Sequence, residues 1–163
     1  MGGALVTSGM SKSENFGGSG SCFMGENCNV DRNTDCRVNR SVYLSQCQTC
    51  LNSQEPRNSS YVGTTGCLTH KRQRQHMAAM RTKTQTNAQS KHHWNDHPHQ
   101  QPHFKTTILK GGMRFNVDRQ ICESLFIEQL GRDDNINLLN QRSEWGHHNI
   151  PRLQVIQPVA QPL

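Results

Sequence analysis

Apolar and aromatic residues are scarce in this sequence, which limits the size of any core. Only 32% of the 163 residues are hydrophobic and 6% are aromatic, with two tyrosines in all. The apolar residues thin out further in 1–40 and 73–103. The chain therefore has room for one domain at most, whose core must form between 41–70 and 104–140. A bound metal or a partner would compensate for the few apolar contacts.

Long hydrophobic runs are missing as well. No segment approaches the roughly 18 consecutive apolar residues that a membrane-spanning helix requires. Residues 1–20 are rich in glycine and serine instead of the apolar residues of a signal peptide. We therefore expect neither a secretory leader nor a membrane anchor. In a reducing compartment, the seven cysteines favour metal binding over disulfide formation.

Acidic residues are outnumbered by basic ones. The 12 Asp and Glu residues stand against 18 Lys and Arg residues, which gives a formal net charge of +6. Excess positive charge attracts polyanions, because each phosphate that is neutralised releases counterions. The charge fits a nucleic-acid partner about as well as it fits a solvated basic surface without one.

Composition divides the chain into three parts. Residues 1–40 combine glycine, serine and three cysteines, which predicts a disordered or cysteine-containing leader. Residues 41–140 hold the periodic segments and are predicted to fold. Residues 141–163 contain three prolines and are predicted to form an extended tail.

Three short apolar segments in the central part predict strands. They are 41–46, 61–63 and 104–109. The first two are close in sequence, so an antiparallel hairpin is the simplest connection. Together they predict a small α+β domain with a three-stranded antiparallel sheet flanked by helices.

Residues 68–80 lack glycine and proline, which predicts a helix on which Arg72 and His76, four residues apart, share a face. The following segment, 82–103, is rich in polar residues and histidine and is predicted to be a long loop.

A second helix is predicted from Arg119 to about Leu130, with Asp118 as its N-cap. Glu123 lies on its flank. Its predicted apolar stripe consists of Ile121, Leu125, Phe126 and Leu130.

Polar residues recur at defined points along these elements. The segments Val42-Tyr43-Leu44 and Tyr61-Val62-Gly63-Thr64-Thr65-Gly66 are followed by Arg72 and His76, and later by Glu123. This order resembles the GIY-YIG nuclease superfamily, and within it the endonuclease domain of Penelope-like retroelements, over roughly 41–140. Ser41 stands where the family usually has a glycine.

The resemblance implies a metal-dependent DNA endonuclease. It implies that Tyr43 or Tyr61 takes a proton from the attacking water and that Arg72 steadies the phosphate. His76 is expected to hydrogen-bond a tyrosine oxygen or the phosphate. Glu123 is expected to hold Mg²⁺, which prefers hard oxygen ligands.

The resemblance also implies an asparagine that closes the site, either Asn140 or, as the second choice, Asn137. In a parent element the nick would prime a reverse transcriptase, which together with the charge suggests a nuclear location. Two other interpretations stay open. One is a zinc-stabilised nucleic-acid-binding module without cleavage, and the other is a decayed retroelement relic that folds poorly.

Relatives in the retroelement branch carry a zinc-finger-like insert with two cysteines and two histidines. Cys47 and Cys50 fit its cysteine pair, and His93 and His99 fit its histidine pair. Four protein ligands would make a structural Zn²⁺ site that orders the histidine-rich loop. Three further histidines are alternative ligands: His92, His97 and His103.

Overall fold

The computed structural model of the chain describes residues 28–31, 34–53 and 58–140. The elements in chain order are β1 (Asn39–Cys47), α1 (Gln48–Asn52), β2 (Asn58–Leu68), α2 (Thr69–Arg81), α3 (Ala88–Asp96), β3 (Phe104–Lys110), α4 (Asn116–Leu130) and β4 (Ile136–Leu138). The tail predicted over 141–163 and most of the leader predicted over 1–40 lie outside the described residues, and β1 begins at Asn39, within the range predicted as leader.

The four strands form one mixed sheet in the order β3-β1-β2-β4. β1 is antiparallel to β2 and β3, whereas β4 is parallel to β2. The α+β class is as predicted, but the three-stranded, purely antiparallel sheet is wrong. β4 has only three residues, too few for a periodic signal. It pairs because β2 begins as early as Asn58 and offers a second edge.

The helix predicted over 68–80 is confirmed as α2. The long loop predicted over 82–103 is wrong in its middle, where α3 forms. Asn87 caps α3 by accepting a hydrogen bond from the Ser90 backbone N–H at 2.8 Å. The buried residues of α3 are all polar, so no apolar period marks this helix in the sequence.

The helix α4 starts earlier than predicted, with Phe115 as its N-cap residue and no side-chain cap. Asp118 lies in the first turn instead, where its negative charge still favours the helix N-terminus. The stripe is only partly right. Phe126 and Leu130 pack on the core, whereas Ile121 and Leu125 are exposed, because the helix turns Ile127 toward the sheet.

Two apolar clusters hold the domain together. Val42, Val62 and Ile127 join the central strands to α4. A second cluster joins Cys47 and Cys50 to Met80 and Phe104, so α2 and β3 meet at the start of α1. None of the described helices has the length and apolar composition to cross a membrane.

Candidate functional site

The two tyrosines converge because a glycine lies between them. Tyr43 is opposite Gly63 in the β1–β2 pairing, and Tyr61 and Gly63 share a face of β2. A Cβ atom at Gly63 would lie 2.6 Å from the Tyr43 hydroxyl and 2.7 Å from Tyr61 Cε1. Any side chain at this position would therefore push the phenols apart. Tyr43 is fully buried, whereas Tyr61 is partly exposed.

His76 on α2 contacts both phenols. Its Nε2 lies 3.0 Å from the Tyr43 hydroxyl, and its ring centroid lies 6.1 Å from that of Tyr61. The pKa of His76 is lowered to about 4, chiefly by burial and also by the positive charge of Arg72, against a hydrogen bond with Asn87 that raises it. The imidazole is therefore neutral at pH 7, with one donor and one acceptor nitrogen.

Arg72 and Glu123 both act on the buried phenol. Burial raises the pKa of Tyr43 to about 12; the charge and a hydrogen bond of Arg72 oppose this rise, and the charge of Glu123 adds to it. An arginine of α2 and a glutamate of α4 thus lie within electrostatic reach of one tyrosine. Beside Arg72 and His76 is a pocket of about 250 Å³, lined also by Gln75 and Asn87.

Asn140 fixes the strand that carries Tyr61. Its Oδ1 accepts from the Val62 backbone N–H at 2.9 Å, and its Nδ2 donates to the Val62 carbonyl at 2.8 Å. Asn137 is exposed, and its Nδ2 donates to the Ser59 hydroxyl at 3.1 Å. Of the two candidate asparagines, Asn140 is thus the one bound beside the tyrosines, and it positions backbone.

A second group of candidate side chains lies at the C-terminal end of β1. One ligand atom each from Cys47, Cys50, His92 and His97 lies within 4.8 Å of the others. Cys50 Sγ is 3.4 Å from His92 Nε2 and 3.1 Å from His97 Nε2. A tetrahedron with Zn–S and Zn–N bonds of about 2.3 and 2.0 Å has edges of roughly 3.5 Å. This cluster, called the Cys/His cluster below, can hold a metal ion such as zinc.

The cysteine pair of the cluster is the predicted one, but the histidine pair is not. His92 and His97, which the sequence offered as alternatives, take the places predicted for His93 and His99. Successive residues of a helix point about 100° apart. His93 therefore faces away from the cluster although it follows His92 directly, and His99 is exposed beyond the end of α3.

A carboxylate supports the cluster from outside. Asp96 lies one turn after His92 on α3, and its Oδ2 is 2.6 Å from His92 Nδ1. This contact holds the Nδ1 proton and leaves the Nε2 lone pair directed at Cys50, as in many metal sites. Burial raises the pKa of the Cys47 thiol to about 11, so a cation is needed to make it a thiolate at neutral pH.

We expect the stability of the fold to fall as the pH drops from about 6.5 to about 4. His76 has a folded-state pKa of about 4, below its ordinary value of 6.5, so within this window the unfolded chain binds a proton that the folded chain does not. The stability that depends on a neutral His76 is fully present above pH 6.5, and about 3 kcal/mol of it is lost by about pH 4. Urea denaturation at pH 7 and 4.5 measures the difference.

The comparison that decides this prediction is between variants, because metal ligands also protonate in that range. His76→Gln should lose less stability between the two pH values than the unmodified chain. His103→Gln, at an exposed position, is the matched control and should keep the original dependence. Equal slopes for His76→Gln and the unmodified chain would contradict the prediction.

No family model, no curated protein and no solved structure matches this chain. The residues themselves and their arrangement are therefore the basis for inferring a function.

Proposed function

We propose that this chain is a metal-dependent DNA endonuclease of the GIY-YIG type, with an origin in a Penelope-like retroelement. The observation that carries the proposal is the hydrogen bond of His76 to the buried Tyr43, with Tyr61 beside them and with the charges of Arg72 and Glu123 acting on the same phenol. These residues come from β1, β2, α2 and α4, and their side chains supply the charges and proton acceptors that phosphodiester hydrolysis requires. A nuclear location, and a nick that primes a reverse transcriptase, belong to the same proposal.

The exposure of the two tyrosines supports different roles for them. Tyr61 is partly exposed and can meet a water molecule, so we assign proton removal from that water to Tyr61. Tyr43 is fully buried and its pKa is about 12, which makes it a poor base. Its hydroxyl instead holds His76 next to Tyr61.

Arg72 and Glu123 are assigned to the phosphate. The guanidinium of Arg72 lines the 250 Å³ pocket and can bind two phosphate oxygens at once. Glu123 is the residue assigned to hold Mg²⁺, an ion that keeps several waters and is often bound by one or two carboxylates and the substrate phosphate. When bound, the ion supplies positive charge that polarises the scissile phosphate.

For the Cys/His cluster we propose a structural Zn²⁺. Four protein ligands leave no open coordination position, which is typical of structural and not of catalytic zinc. The ion would link the end of β1 and α1 to α3, two parts of the chain that share few apolar contacts.

Supercoiled plasmid incubated with zinc-loaded protein and Mg²⁺ tests the endonuclease. We expect conversion to open circles, and we expect Arg72→Gln to slow it at least about 100-fold, the usual cost of losing a transition-state contact. Arg74→Gln is the matched control, an exposed arginine two residues along the same helix, and should stay within about threefold. A folded protein that does not nick DNA under any of these conditions refutes the proposal.

A second candidate is a zinc-stabilised nucleic-acid-binding module without cleavage. The observation that favours it is the Cys/His cluster, with its supporting Asp96, in a chain of net charge +6. DNA binding by the folded protein without any nicking would favour this module.

A further inference from the structure

A second pocket lies between the end of α2, α3 and the segment that leads to β3. Its volume is about 300 Å³, and its walls include Met80, Trp94, Pro98 and Pro102. It shares no residue with the tyrosine site or with the Cys/His cluster. Its size is at the lower end of the range for small-molecule pockets, which suits one flat ring with a small substituent.

A buried histidine lines this pocket, and one of its ring nitrogens lacks a partner within the described ranges. His93 is 2% exposed, and its Nε2 has no hydrogen-bond partner among the described residues. Leaving a buried polar atom without a hydrogen bond is unfavourable, and a ligand with a polar edge would restore the bond. The pocket is thus incomplete by itself.

Trp94 gives the pocket a rigid aromatic wall. Its indole N–H donates to the Met80 carbonyl at 2.9 Å, and Lys83 Nζ lies 4.8 Å from the ring centroid. Both contacts hold the ring in place before any ligand arrives, which reduces the entropy lost on binding. Such a wall favours a planar ring.

The charge of the surroundings favours an anionic ligand. Arg81 lines the pocket, Lys83 lies beside it, and none of the lining residues in the described part of the chain is acidic. The amides of Gln100 and Gln101 add donors and acceptors at the rim. A nucleotide combines these features, because it has a planar ring, a hydrogen-bonding edge and an attached anion.

We propose that this pocket binds one unpaired nucleobase of a DNA single strand. The base stacks in the pocket against Trp94, its polar edge meets His93 Nε2, and the adjoining phosphate meets Arg81. Stacking of bases on aromatic side chains tolerates any sequence, because every base has a flat face.

The position of the pocket relates it to the tyrosine site. Arg72 and Arg81 are nine residues apart on α2, which is about 13 Å along the helix axis. In the duplex, one strand of DNA rises about 3.4 Å per nucleotide, and an unstacked strand rises more, so this distance spans at most about four nucleotides. That spacing from the scissile phosphate depends on the proposed endonuclease function, whereas base binding does not.

Tryptophan fluorescence tests base binding directly. The chain has two tryptophans, so Trp145→Phe leaves Trp94 as the single reporter. Zinc-loaded protein without Mg²⁺ is titrated with a 12-nucleotide oligodeoxyadenylate, with an abasic strand of equal length and with dAMP. We expect saturable quenching by the oligonucleotide and at least tenfold weaker binding of the abasic strand. Quenching by dAMP at the same affinity would identify a free nucleotide as the ligand and overturn the single-strand assignment.

A substitution provides the second test. Trp94→Leu should weaken binding of a fluorescein-labelled oligodeoxyadenylate at least tenfold, measured by anisotropy. Arg132→Leu, at an exposed residue outside the pocket, is the control. Zinc content and cooperative unfolding check that the variant is folded; if it is not, Trp94→Phe replaces it, with a smaller loss expected. Full affinity in a folded Trp94 variant, or equal binding of the abasic strand, would overturn the proposal. Failure to nick plasmid leaves it standing.

Discussion

Cys50→Ser is expected to abolish the stabilisation of this domain by zinc. Cys50 Sγ lies within 3.4 Å of the donor nitrogens of His92 and His97, so it is central to the cluster. Structural zinc binds small domains with about 10–16 kcal/mol at neutral pH, and that energy is available to folding. The domain has few apolar contacts to replace it. We therefore expect several kcal/mol of zinc-dependent stability to be lost.

The measurement is urea denaturation with and without added zinc, together with zinc content per chain. The unmodified protein should bind one equivalent and lose its stability when a chelator is added, whereas Cys50→Ser should be insensitive to both. Cys67→Ser is the matched control, because Cys67 is exposed and lies outside the cluster. A protein equally stable with and without zinc would show that the cluster holds no structural metal.

Glu123→Gln is expected to stop plasmid nicking without unfolding the protein. The amide keeps the shape of the side chain but loses the charge assigned to Mg²⁺, and metal-assisted transition-state stabilisation is worth several kcal/mol. We expect the rate to fall at least about 100-fold at a fixed Mg²⁺ concentration. Binding of DNA should not weaken, because the change removes a negative charge.

Glu128→Gln is the control for this experiment. Glu128 lies on the same helix, is exposed and pairs with Arg132 at the surface, so its loss should leave the nicking rate within about threefold. Equal rates for the Glu123 and Glu128 variants would remove Glu123 from the proposed mechanism. Loss of folding in Glu123→Gln would show up as a loss of cooperative unfolding.

The elements that carry apolar residues were predictable from the sequence. The segments around Tyr43, Tyr61 and Phe104 are short and apolar, and each is a strand in the sheet. β4 and α3 were missed for different reasons. β4 forms by pairing with the first residues of β2, and no local sequence pattern indicates this pairing. The buried face of α3 is polar, so it has no hydrophobic period.

The missed helix explains the wrong histidine pair. In a loop, any two of the histidines between 92 and 103 could serve equally well as metal ligands. In a helix, the spacing of His92 and Asp96 puts them on one face, and this pair marks His92 as the better candidate ligand. The i to i+4 spacing was the available signal, but it has meaning only once α3 is known.

The sequence motif predicts the residues of the tyrosine site but not their geometry. The family resemblance predicted Tyr43, Tyr61, Arg72, His76 and Glu123 as a group, and whether they hydrolyse DNA stays a prediction. The close approach at Gly63, the buried state of Tyr43 and the hydrogen bond of His76 to Tyr43 arise from register and packing. These long-range features are not encoded in any single segment.

Asn140 has a consequence for how the protein is made. It bonds both backbone atoms of Val62, 78 positions earlier in the chain. A ribosome releases the β1–β2 hairpin and α2 long before it releases this asparagine. During that interval the strand that carries Tyr61 lacks the hydrogen bonds from Asn140. The tyrosine site of the nascent chain is therefore completed only late in translation.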